Sequence, residues 1–203
     1  MRELAIGPIL VALAFAAPFA AQAQPAATDE EIAGAPPPPP LDETHAEKLD
    51  RLFADLAVAD GTAAEGVADE IRREMSKSGS DSMDFLLERA RKAMHEKNYE
   101  RARMHLSALT RLAPDFAEGW NAAATLAYIQ EDYGRAVYEI ERALAIEPRH
   151  FSALAGLAMI FERLERKDAA MRAWREAARL YPSLEPAEEA IRRLSPEVDG
   201  RAL

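Results

Sequence analysis

The chain has 203 residues, about half of them apolar, with 35 acids against 25 bases and no cysteine. That is enough for one domain with tails, and it excludes disulfides, thiolate metal sites, a cysteine nucleophile and a cysteine-borne lipid anchor. The acidity is uneven: residues 24–81 hold fourteen acids and five bases, whereas residues 82–182 hold fifteen and sixteen, so no domain-wide basic field exists to hold nucleic acid.

Residues 4–20 form an apolar run behind Arg2, closed by Ala21-Gln22-Ala23. An apolar stretch ending in a small-x-small site is the pattern of a secretory signal. Residues 1–23 are therefore expected to be a signal peptide and the protein to be exported, to the periplasm of a Gram-negative bacterium. The run falls short of the roughly 20 apolar residues of a spanning helix, so a membrane is involved only if the segment stays uncleaved. Residues 24–40 are expected to be a Pro-rich disordered linker. Its five consecutive prolines, Pro36 to Pro40, lack backbone donors and take the polyproline II form, a stiff spacer.

Residues 41–81 read as a degenerate helical hairpin. Thr44 with Glu47, and Thr62 with Glu65, have the spacing of capping boxes. Behind them come Leu49, Leu52, Phe53 and Leu56, then Val67, Ala68, Ile71 and Met75, apolar at helical spacing. The stretch Ser76 to Ser82 is the break before the next unit.

Residues 82–182 repeat. Pro114, Pro148 and Pro182 lie 34 residues apart, and the same offset carries Ala102 onto Ala136 and Ala170, and Leu106 onto Ile140 and Trp174. A fixed period of this length marks a tandem array. Each unit reads as two helices closed by a proline that cannot continue them: residues 82–115, 116–149 and 150–182. Small residues such as Ala124, Ala136 and Ala143 fall where paired helices must approach closely. Asp115 is placed to cap the next helix with Glu118 as its reciprocal partner. Residues 183–203 read as a short helix over 186–194 and a tail, and both flanks of the array read as polar caps.

On these residues the chain resembles the tetratricopeptide repeat family. The second unit carries the family's pattern in Trp120, Ala124, Tyr133, Ala136, Ala143 and Pro148. The third carries it in Leu157, Ala158, Phe161, Ala170, Trp174, Ala177 and Pro182, and the first, more weakly, in Ala90, Tyr99, Ala102, Leu106 and Pro114. The resemblance implies an all-α fold, a short α-solenoid of helical hairpins, whose first helices line a concave face. It also implies a protein or peptide segment as partner. The carboxylate-clamp subgroup is excluded, because of its residues only Asn121 is matched and Leu87 and Glu118 stand at lysine sites.

In that register the groove residues are Leu87, Arg91, Met94, Asn121, Thr125, Tyr128, Ile129 and Met159. Eight steps of about 100° place Tyr128 roughly 80° from the inward Trp120, so Tyr128 and Met159 are expected to serve binding more than folding. No catalytic set is found: there is no G-x-S-x-G, phosphate loop or H-E-x-x-H. His45, His95, His105 and His150 are not spaced as helical metal pairs. No metal, cofactor or small-molecule substrate is expected, and the chain is expected to be a binding protein and not an enzyme.

Overall fold

The computed structural model describes residues 43–198 and Gly200. The expected signal peptide, the proline linker, Leu41, Asp42, Asp199 and residues 201–203 lie outside them. Among the described residues there are nine α-helices and no strand. They are α1 (His45–Leu56), α2 (Gly61–Met75), α3 (Asp81–His95), α4 (Tyr99–Leu112), α5 (Ala117–Ile129), α6 (Tyr133–Ile146), α7 (Phe151–Arg163), α8 (Lys167–Leu180) and α9 (Glu185–Val198).

Helices α3 with α4, α5 with α6, and α7 with α8 form three hairpins that stack in chain order. Ala102, Ala136 and Ala170 are each fully buried in the second helix of a hairpin. A larger side chain there would overpack the seam between paired helices. The first helices also touch across hairpins, α3 with α5 and α5 with α7. They therefore run closer together than the second helices and form the inner side of the stack.

The turn within each hairpin repeats in its backbone. Lys97, Glu131 and Glu165, 34 residues apart, all have positive φ, at 57°, 59° and 54°. Each ends a first helix in the left-handed region. The next amide then reaches back five residues, as from Asn98 to the Ala93 carbonyl and from Asp132 to the Ala127 carbonyl, the Schellman arrangement. Asn98 and Asp132 then cap the second helices, accepting from the amides of Arg101 and Arg135.

Hairpins stack through small residues. A Cβ on Gly119 would lie 3.2 Å from Leu109 Cγ of the preceding hairpin, and Ala123 and Leu126 are buried beside it. The equivalent Ala153, Leu157 and Ile160 of α7 pack on the second hairpin. Residues Ala187, Ile191 and Leu194 repeat the pattern in α9 and dock it on the third hairpin. Helix α9 is thus the first half of a further unit. It is longer than the expected 186–194 and runs through Pro196 to Val198, so Arg192 and Arg193 sit within it and not at its end.

At the other end the pattern stops. The same positions in α3 are Phe85, Arg89 and Lys92, all exposed. Seating a hairpin there would bury two cations without partners, which is costly. The hairpin α1–α2 does not stack on α3, as an end cap would. Its apolar face, Leu49, Leu52, Leu56, Ala68 and Ile71, packs with Phe151, Leu154, Ala177, Leu180 and Tyr181. Each fully buried Leu or Ile contributes about 1.5–3 kcal/mol. Polar contacts fasten it: Arg149 pairs with Asp50 and stacks on Phe53, and Ser183 Oγ donates to the Ala59 carbonyl at 3.2 Å.

Capping differs from expectation at two helices. The Thr44–Glu47 box closes α1 in both directions, but Thr62 lies inside α2, whose N-cap Asp60 makes no side-chain cap bond. At α5 the N-cap is Phe116, without a side-chain cap. Asp115 stays outside the helix, and Glu118 turns inward to other partners.

Candidate functional site

The inner faces of α5 and α7 enclose a cavity of about 420 Å³. Thr125, Tyr128 and Asn121 reach it from α5. Ser152, Ala155, Gly156 and Met159 reach it from α7, and Phe151, Leu184 and Arg72 close its ends. Small residues at 155 and 156 leave the room that a larger side chain would fill. Met159 is 45% exposed, a large apolar group open to water beside an apolar hollow. A second hollow of about 460 Å³ continues past Tyr128 and Met159 to Glu162, Arg163, Trp174, Glu189 and Arg193. The two form one groove along the inner side of the array, ending on α9. Glu162 organises its far end, accepting from Trp174 Nε1 and Arg193 Nη2, each at 2.6 Å.

The expected groove residues divide. Asn121, Thr125, Tyr128 and Met159 line the cavity. Ile129 is exposed but stands off it. Leu87 does not face solvent: it is 1% exposed and packs with Ala90, Leu106 and Leu126, because the second hairpin covers that face of α3. Met94 is half-buried against the same core. Arg91 is taken up in a fixed network, donating to Ser76 Oγ at 3.2 Å and to Glu118. Tyr128 both lines the groove and packs, half-buried, against Tyr133 with ring centroids 5.8 Å apart. Its role in folding is therefore larger than its helical angle implies.

Glu118 and His150 are residues whose importance spacing did not show. Both are buried, at 8% and 2% exposure, and His150 lies 2.9 Å through Nε2 from Glu118 Oε2. The Ala153 amide donates to His150 Nδ1 at 3.3 Å. That ring nitrogen is thus the acceptor, and the network assigns the proton of the neutral ring to Nε2, which donates to Glu118. Asn121 Nδ2 adds a bond to Glu118 Oε2 at 3.0 Å. Burial opposes ionisation of Glu118. The hydrogen bond from His150, with the Arg91 charge and the Asn121 hydrogen bond, outweighs it and holds the carboxyl below the usual range. Arg91, Glu118 and His150 so tie the first helices of all three hairpins beneath one end of the groove.

The other histidines do not converge. His95 is exposed, and His105 is half-buried with Nε2 unpartnered. Among the described residues no group of three or more His, Asp or Glu is arranged to hold a metal ion. No described helix is long and apolar enough to cross a membrane.

The comparisons agree with this architecture. The chain is 36% identical over 155 residues to a TPR repeat-containing protein of Rhizobium etli, covering 76% of each chain. It belongs to the tetratricopeptide repeat family. Among solved structures it is similar to MamA, with 18% identity and a TM-score of 0.54 over 76% of this chain and 84% of that one. It is also similar to the first TPR of Spaghetti (RPAP3), with 15% identity and a TM-score of 0.55 over 58% and 93%. That domain is described as bound to an Hsp90 peptide, SRMEEVD. At such identities the likeness shows the fold. No family model matches the chain.

Proposed function

We propose that this protein is a non-catalytic adaptor that holds a segment of a partner protein in the groove between α5, α7 and α9. The observation that carries the proposal is the open apolar cavity beneath Met159 and Tyr128. Exposed apolar groups around a hollow mark contact surfaces on soluble proteins, and aromatic anchors dominate such contacts. The peptide held by the Spaghetti domain supports a peptide as the occupant. Among the described residues nothing in the groove pairs a nucleophile with a base, and Glu162 is engaged by Trp174 and Arg193. The test is capture of partners from the native envelope by wild type and by Met159→Ser. The variant, altered at an exposed side chain, retains fold and loses capture. Equal capture would refute the groove.

The place of work is the periplasm, reached through the apolar segment at residues 4–20 and the Ala21-Gln22-Ala23 site. The same segment supports a second reading, an envelope assembly factor tethered by an uncleaved anchor. N-terminal sequencing of the exported protein separates the two, since a start at Gln24 supports the free adaptor.

A further inference from the structure

We infer that Arg72 makes the groove selective for a partner segment with a side-chain carboxylate beside large apolar residues. This rests on the groove reading above. Among the described residues Arg72 is the one formally charged side chain on the wall of the α5–α7 cavity. It comes from α2, which the array could not seat on α3 and which lies instead against α7. Its guanidinium carbon stands 5.3 Å from the centroid of the Phe151 ring. Phe151 is itself a wall of the cavity and fully buried, so the cation is held at the apolar hollow's rim by stacking on a fixed surface.

The present partner of Arg72 is Asp69 at 2.5 Å, one turn away on the same helix, with both side chains about half-exposed or more, at 45% and 60%. A surface pair of that kind contributes little and leaves guanidinium donors free for a ligand. Two of the neutral polar groups nearby are committed: Thr125 Oγ1 donates to the Asn121 carbonyl, and Asn121 Nδ2 donates to Glu118. Recognition of charge therefore falls to Arg72. A carboxylate brought to it by apolar neighbours that fill the cavity meets it in a drier setting, where charge-assisted bonds are stronger. Because Arg72 is open to solvent and the groove continues past Met159, a bound segment passes through. The carboxylate is then an Asp or Glu side chain and not a chain end.

The experiment is selection of a displayed library of random twelve-residue peptides on the full chain, on Arg72→Gln, on Arg72→Glu and on Thr125→Arg. Both positions changed are exposed, and melting temperatures verify the fold. The full chain enriches peptides with Asp or Glu beside Leu, Met, Phe or Trp, several-fold above library frequency. Arg72→Gln keeps the apolar preference and loses the acidic one, and Arg72→Glu selects Lys or Arg in its place. Thr125→Arg, which fills the groove, captures nothing. An acidic preference that is absent from the full chain, or that survives Arg72→Gln, overturns the inference; the groove stands if Thr125→Arg still abolishes capture. Undiminished capture by Thr125→Arg, or no capture by any form, overturns the groove and this inference together. Displacement of the selected peptides by a synthetic peptide of residues 24–42, or a dimer of the full chain that Arg72→Glu dissociates, would make the occupant the chain's own and would also overturn it.

Discussion

The ring of His150 bridges two hairpins: Nε2 donates to Glu118 Oε2 at 2.9 Å, while Nδ1 accepts the Ala153 amide at the head of α7. One side chain therefore caps a helix and satisfies a buried carboxylate. His150→Ala removes the cap, worth about 1 kcal/mol, and strips a partner from a buried acid, so the total loss is about 3 kcal/mol. His95→Ala, at an exposed site, changes stability by less than about 0.5 kcal/mol. Urea denaturation of both variants measures the contrast.

Ala136 is fully buried between α5 and α6. Ala136→Leu overpacks that seam and costs about 1–3 kcal/mol. A thermal melt equal to wild type would show that the helices of the second hairpin are not in this register.

The left-handed turns predict a gain. Glu131 is exposed with φ of 59°, a conformation glycine adopts without Cβ strain. Glu131→Gly raises stability by about 0.5–1 kcal/mol, the reverse of what a glycine does inside a helix. Chemical denaturation should show the midpoint moving up.

Glu74 predicts an acid limb. Burial opposes its ionisation, but hydrogen bonds from Lys77, Lys48 and His45 prevail and bring its pKa from 4.5 to about 2. The folded value is depressed, so the stability it contributes is present above about pH 4.5 and is lost as pH falls from there towards 2. Glu74→Gln costs about 1–2 kcal/mol near neutral pH, and the gap to wild type closes across that window. A gap that stayed constant from pH 6 to pH 2 would contradict the assignment.

How much of this was legible before the fold was seen follows from where each signal resides. The 34-residue period of Pro114, Pro148 and Pro182 reports local structure repeated three times. The hairpins and four cavity residues, Asn121, Thr125, Tyr128 and Met159, followed from register alone. Leu87 shares that register with Asn121, yet it is buried, because its surroundings depend on the neighbouring hairpin as well as its own helix. Arg72, and the Glu118–His150 pair, were not legible because long-range packing brings them to the groove. One signal for the position of the α1–α2 hairpin was present: Phe85, Arg89 and Lys92 stand where the second hairpin carries Gly119, Ala123 and Leu126 and the third Ala153, Leu157 and Ile160, and they forbid stacking at that end. The left-handed turns were hidden because Lys97, Glu131 and Glu165 are not glycines.

The central claim is that a partner segment lies on the inner side of the array. A photoreactive amino acid at Thr125, exposed at the cavity wall, tests it against one at Ser107, exposed on α4. In the native cell the account predicts a crosslinked partner from position 125 and none from 107. A partner captured from 107 alone, or equally from both, would contradict it.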